Sequence, residues 1–181
     1  MSKQSYNITF VLIMVIKNKL IYLKNKDTLI FDDFSFKCSV GINGLTYKKK
    51  EGDKKTPRGI YELGKLYYRK DRVKKPTTNL ICKVIKKNMG WCDDKKDKKN
   101  YNKLISIKKN IKCEKLFRND NKYNFFIPIN YNTKKRMLGK GSAIFIHLTS
   151  NYIGTSGCIA LSKKDFLILI RLINRKTKIL I

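Results

Sequence analysis

The apolar residues of this chain come in short runs, and only one stretch of it carries a helical stripe. Runs at 8–16, 20–24, 28–31, 35–40, 59–68, 80–86, 123–129 and 143–148 are rich in Ile, Val, Leu, Phe and Tyr, with Lys, Asn, Asp and Gly between them. Runs of that length bounded by turn residues read as strands, so the body should be mainly β. The exception follows Ser162-Lys163-Lys164-Asp165, which has the form of a capping box. After it, Phe166, Leu169, Ile170 and Ile173 fall at i, i+3, i+4 and i+7, one buried face of a helix. Asn174-Arg175 should end that helix, and Lys178 to Ile181 should close the chain as a short strand. Ile8 to Ile16 has the length of a signal-peptide core but is too short to span a bilayer. Lys17-Asn18-Lys19 follows it where a small-residue cleavage site would stand, so a hairpin with Leu20 to Leu23 is the expectation, and no transmembrane segment.

The length of 181 residues fits one domain, residues 1–181, and a hydrophobic content of 42% supports a real core. The formal charge of +29 comes from 42 Lys and Arg against 13 Asp and Glu, a balance that favours anionic surroundings. The lysines are spread along the whole chain, without an Arg-rich block or a nucleic-acid motif, so no specific nucleic-acid partner is expected. Lys48–Lys50 and Lys95–Lys99 read as solvated loops. Residues 87–122 form a long charged region, which should be functional or carry short elements of its own. Five cysteines (38, 82, 92, 113 and 158) show no CxxC spacing and share the chain with a single histidine. That excludes the usual zinc patterns; no metal, cofactor or disulfide framework is expected.

The single histidine, His147, closes the apolar run Ile144-Phe145-Ile146, and Ser156-Gly157-Cys158 follows after a polar loop. A free thiol is mostly protonated at neutral pH and needs a base to become a nucleophile, a role imidazole fills. Glycine at 157 permits close approach, and the amides of Gly157 and Cys158 are candidate donors to an oxyanion. A lone His on a strand is more often structural and an apolar Cys more often inert, so the pair alone leaves both readings open.

Further residues carry a resemblance. Gly52-Asp53-Lys54-Lys55-Thr56-Pro57-Arg58-Gly59-Ile60-Tyr61 and Ser156-Gly157-Cys158-Ile159 resemble two signature segments of L,D-transpeptidase catalytic domains of the YkuD type. Gly90-Trp91-Cys92-Asp93-Asp94, Asn100-Tyr101-Asn102, Leu116-Phe117-Arg118-Asn119-Asp120 and Gly139-Lys140-Gly141-Ser142-Ala143 also have counterparts in a subgroup of that family, in the same order. The likeness runs from about residue 35 to 181. It implies a β-sandwich-like catalytic domain with a C-terminal helix, the charged region being an insertion. It also implies a two-step acyl transfer on peptidoglycan stem peptides: a cysteine thioester forms, then an acceptor amine (a 3→3 cross-link) or water resolves it.

Carried over, Cys158 is the nucleophile and His147 its base, Gly157 contributes to the oxyanion hole and Ser156 positions the loop. Gly141, Ser142, Trp91, Tyr101 and Arg118 are candidates to line the substrate groove. Two departures stand out: Ser156 occupies a position where many members have His, and Ala160 one where many have Arg. Lys140, Arg118 or Arg136 are candidates for the missing charge. A monomer is expected, and the resemblance implies the cell envelope or periplasm, although without a clear signal peptide a cytoplasmic location stays open. The alternatives are a peptidoglycan-binding module without catalysis and a basic nucleic-acid binder.

Overall fold

The computed structural model describes residues 20–107 and 111–181. In chain order its strands are β1 (Leu20–Asn25), β2 (Thr28–Phe31), β3 (Phe34–Ser39), β4 (Leu45–Thr46), β5 (Thr56–Pro57), β6 (Ile60–Glu62), β7 (Leu66–Tyr68), β8 (Cys82–Val84), β9 (Met89–Cys92), β10 (Leu104–Ser106), β11 (Cys113–Lys115), β12 (Phe125–Pro128), β13 (Phe145–Leu148), β14 (Ile159–Leu161) and β15 (Lys178–Leu180). The helix α1 (Lys163–Leu172) lies between the last two. The fold is mainly β, as the short apolar runs imply. Ten strands form one large curled sheet in the order β6-β15-β1-β2-β3-β14-β13-β12-β7-β8, beside a three-stranded sheet β10-β9-β11 and the pair β4-β5.

Strand alternation sorts the side chains of β7, β12, β13 and β14 onto two covered faces. Leu66 and Tyr68, Phe125 and Ile127, Ile146 and Leu148, and Ile159 and Leu161 enter one core together with Phe166, Leu169, Ile170 and Ile173 of the helix segment. The helix begins as its sequence implies: Ser162 Oγ accepts from the Asp165 amide at 3.0 Å. Its four periodic residues are all fully buried, and Phe166 stacks on Phe125 at 6.0 Å. The residues between, Tyr67, Phe126, Phe145 and Cys158, face the other way and join Trp91, Leu116 and Tyr123 in a second, aromatic core.

Several expectations change. The 8–16 run, and with it the expected hairpin to Leu20–Leu23, lies outside the described residues; β1 forms a hairpin with β2 and runs parallel to β15. The 59–68 run is two strands, because the chain turns at Gly64, where an added Cβ would sit 3.2 Å from Pro128. β6 therefore joins β15 while β7 joins β12, far across the same sheet. Residues 87–122 carry β9, β10 and β11, a small sheet whose Trp91 supplies part of the aromatic core.

Candidate active site

The parallel pairing of β13 and β14 brings His147 and Cys158 to one face. The register Ile146↔Ile159 and His147↔Ala160 puts Cys158, the residue before β14, opposite Phe145 and two positions from His147 along the same face. With a strand spacing of about 4.8 Å and a rise of about 6.6 Å over two residues, neighbours on that diagonal are roughly 8 Å apart at the backbone. The link between two adjacent parallel strands is only residues 149–158, so it must loop tightly back to the start of β14. Thr155 holds that return: its Oγ1 accepts from the Gly157 amide at 3.0 Å and donates to the Cys158 carbonyl at 2.6 Å.

The thiol has two backbone partners. Cys158 Sγ accepts from the Phe145 amide and donates to the Ala143 carbonyl, both at 3.3 Å. Ala143 is held in the left-handed region at φ 51°, and its own amide donates to Asn102 Oδ1 at 3.1 Å. His147 Nδ1 lies 2.9 Å from the Leu148 carbonyl, an arrangement in which Nδ1 carries the proton and Nε2 the lone pair. The Tyr123 ring meets the imidazole edge to face at 5.5 Å.

Burial dominates the electrostatics. His147, 6% exposed, is pushed down to about 4 by desolvation, helped by Lys122 and Arg118 and opposed by its bond to Leu148. Cys158, 8% exposed, is pushed up to about 12 by desolvation, with Glu114 adding to the rise and the Phe145 amide and Lys49 opposing it. At neutral pH the pair is therefore a thiol and a neutral imidazole. Such a pair works by proton transfer during attack, not as a standing thiolate–imidazolium pair.

The segment Gly52–Tyr61 passes over this site. Asp53 accepts from the amides of Lys50 and Lys55 at 2.8 and 2.9 Å and pairs with Lys49. Thr56 Oγ1 accepts from the Gly41 amide at 2.8 Å, and an added Cβ at Gly157 would meet the Lys55 carbonyl at 2.8 Å. Glycine at 157 is thus required by the crossing of two backbones, at φ 132°. The two signature segments meet beside the thiol. The L,D-transpeptidase catalytic domain (YkuD) family profile matches residues 9–181. The chain belongs to this family.

Among solved structures, the L,D-transpeptidase-family chain is similar to that of Bdellovibrio bacteriovorus Bd1075, at 16% identity and a TM-score of 0.47, over 93% of this chain and 49% of that one. It thus spans about half the length of that protein. A comparison with curated proteins finds no match.

Within this family member, Trp91, Tyr101, Asn102, Gly141 and Ser142 lie together, and all are buried. Trp91 Nε1 donates to Asn102 Oδ1 at 2.8 Å, and Asn102 Nδ2 donates to the carbonyls of Tyr131 and Asn132. Tyr101 OH and Ser142 Oγ both donate to Glu51 Oε2, at 2.5 and 2.7 Å, and the Gly141 amide donates to Tyr101 OH. These groups anchor residues 139–145, the approach to β13, and their polar atoms face one another. Arg118 stands apart, bonded to Glu114 and Asp120 with its guanidinium 5.2 Å from the Tyr123 ring centre. Lys140 and Arg136 are exposed, as is Ser156, beside the loop-holding Thr155. Ala160 is 1% exposed, directly opposite His147.

Lys49, Glu114 and Tyr123 act on or pack against the pair without having been singled out in the sequence, while Asp53 and Ala143 stood in quoted segments without a role. Lys49 corrects the solvated-loop expectation: Lys48 and Lys50 are exposed, but Lys49 is 4% exposed. Its spacing of four before Asp53 is the one sequence signal, easily lost among 42 Lys and Arg. Two surface hollows, one lined by Tyr68 and residues 70–75 and one by Ile60–Glu62, Asn130, Lys134 and Lys178, include neither His147 nor Cys158.

Proposed function

We propose that this chain is a peptidoglycan L,D-transpeptidase whose nucleophile is Cys158. The observation that supports it most is the placement of a hydrogen-bonded thiol on one sheet face with an imidazole whose Nε2 is the free base. His147 Nε2 takes the thiol proton as Sγ attacks the carbonyl carbon of the donor stem's diamino acid residue. The Phe145 amide, already directed at sulfur, stabilises the charge that develops there. Collapse breaks the C–N bond, and the leaving D-Ala amine takes the proton from His147, leaving a thioester. An acceptor amine then attacks that thioester, its proton passes to His147, and the thiolate leaves and is reprotonated. Water in place of the amine gives a trimmed stem.

The Gly157 amide already donates to Thr155, so in this reading the Cys158 amide is the donor left to meet the oxyanion. Substrate entry displaces the side chains that leave Cys158 only 8% exposed. Peptidoglycan chemistry places the enzyme in the cell envelope, and among the described residues no helix is long and apolar enough to cross a membrane. The basic surface suits a wall polymer rich in carboxylates.

The test is mass spectrometry of purified muropeptides incubated with wild-type protein, Cys158→Ser and His147→Gln. Donor stems should convert to 3→3 dimers or trimmed stems with the wild type alone, His147→Gln losing about a hundredfold or more. Turnover that survives in Cys158→Ser would refute the mechanism. Muropeptide binding with neither turnover nor a carbapenem adduct on Cys158 would indicate a binding module instead.

A further inference from the structure

Lys49 is buried where a surface lysine has no reason to be. Its side chain is 3% exposed, and its ammonium pairs with Asp53 and donates to the Lys50 carbonyl at 3.3 Å. Burying an ammonium is costly even when it is paired, and lysine is among the residues least often found inside. A mere clip between loops needs no charge there. The stem runs against Gly141, where an added Cβ would lie 2.7 Å from Lys49 Cγ, and Nζ ends 3.5 Å from the Cβ position of Gly157. Both glycines have positive φ, 97° and 132°, so the backbone itself makes room for this side chain. The cation thus ends beside the residue that precedes the nucleophile.

Its field reaches the thiol. Among the groups acting on Cys158, Lys49 favours the thiolate while Glu114 opposes it. Asp53 is itself held below the ordinary carboxylate range: burial opposes this, but bonds from Lys49 and the Lys50 and Lys55 amides outweigh it. Asp53 therefore carries a full negative charge beside the ammonium, so its effect at the sulfur is opposite in sign to that of Lys49.

We propose that Lys49 is an electrostatic positioning residue of the site: its ammonium stabilises the Cys158 thiolate, and its stem sets the spacing between the Gly141 and Gly157 loops. The inference deepens the transpeptidase reading and rests on Cys158 being the nucleophile. It makes two predictions of opposite sign. Removing the cation makes the thiol less acidic; removing the Asp53 charge while keeping the cation makes it more acidic. A purely structural clip predicts the same direction for both, since either change breaks the same ion pair.

The experiment alkylates the full chain with iodoacetamide across pH in wild-type protein, Lys49→Met, Lys49→Arg and Asp53→Asn. The Cys158 peptide is quantified by mass spectrometry, with Cys38, Cys82, Cys92 and Cys113 as internal references. The titration midpoint reports charge, and the high-pH plateau reports access. Lys49→Met should raise the midpoint and so slow alkylation below it, and Lys49→Arg should restore both. Asp53→Asn should lower the midpoint. If Asp53→Asn raises the midpoint or leaves it unmoved, or if Lys49→Met changes the plateau alone, the proposal fails. Should Lys49→Met not fold, the Asp53→Asn midpoint still decides. Alkylation needs no peptidoglycan, so these midpoints stand or fall independently of the muropeptide assay.

Discussion

The buried imidazole makes stability fall with acid in a way that one substitution removes. His147 has a folded-state pKa of about 4, lowered by desolvation, against an ordinary value of 6.5. Because the folded value is the lower one, the unfolded chain binds the proton more readily, and stability declines as pH falls from about 6.5 toward 4. Below the folded value the loss is complete. Linkage over that window gives a decline of about 2 kcal/mol between pH 7 and 5, and about 3 kcal/mol by pH 4. Urea melts of wild-type protein and His147→Gln from pH 7 to 4.5 measure this directly. Carboxylates titrate in both proteins and largely cancel in the difference, so the wild-type advantage should shrink by about 2 kcal/mol on going from pH 7 to 5. If the two stability curves run parallel, the imidazole is not buried neutral, and the thiol–imidazole ground state is wrong.

Other outcomes follow from the same contacts. Asn102→Ala removes the partner of two donors and two carbonyls in a buried spot, and should cost about 3 kcal/mol in urea melts. The same variant frees the Ala143 loop, so Cys158 should alkylate faster at the high-pH plateau; an unchanged plateau would mean that Asn102 does not hold the thiol's carbonyl partner. Ser162→Ala should cost about 1 kcal/mol through loss of the helix cap, with no change in Cys158 alkylation. Cys92 and Cys113 are register partners, and the Leu116–Met89 bond three steps along makes them a non-hydrogen-bonded pair, with Cα atoms about 4.5 Å apart. That is the short end of disulfide geometry, so oxidised glutathione should link them to each other. Peptide mapping that finds only mixed disulfides at both positions would contradict this register.

The parts legible in the sequence were those written in local periodicity. Helix α1 could be read from its cap and its four apolar positions, because one short segment contains the whole pattern. The Cys158–His147 pair could be read because His147 has no competitor in the chain. Other elements depend on partners far away in sequence. The strands β9, β10 and β11 are short and carry Gly, Lys and Ser; they form because Trp91 and Leu116 find the aromatic core built by Phe126 and Phe145. Trp91 and Tyr101 were singled out as candidates to line a groove, but residue type could not say which way their polar atoms point. They point inward, toward Asn102 and Glu51.

Lys49 shows the limit most sharply. In a chain with 42 Lys and Arg, the excess of cations hides a buried one such as Lys49. Composition treats every lysine alike, whereas the cost of desolvation separates them: exposed lysines can be exchanged at little cost, but a buried one persists only where its surroundings hold it. Here those surroundings are Asp53, two glycines of positive φ and the residue beside a buried thiol. The segment from Lys49 to Asp53 therefore does more than shape a turn. It carries a paired charge into the core at the point where the sulfur, pushed up to about 12 by its own burial, is most in need of one.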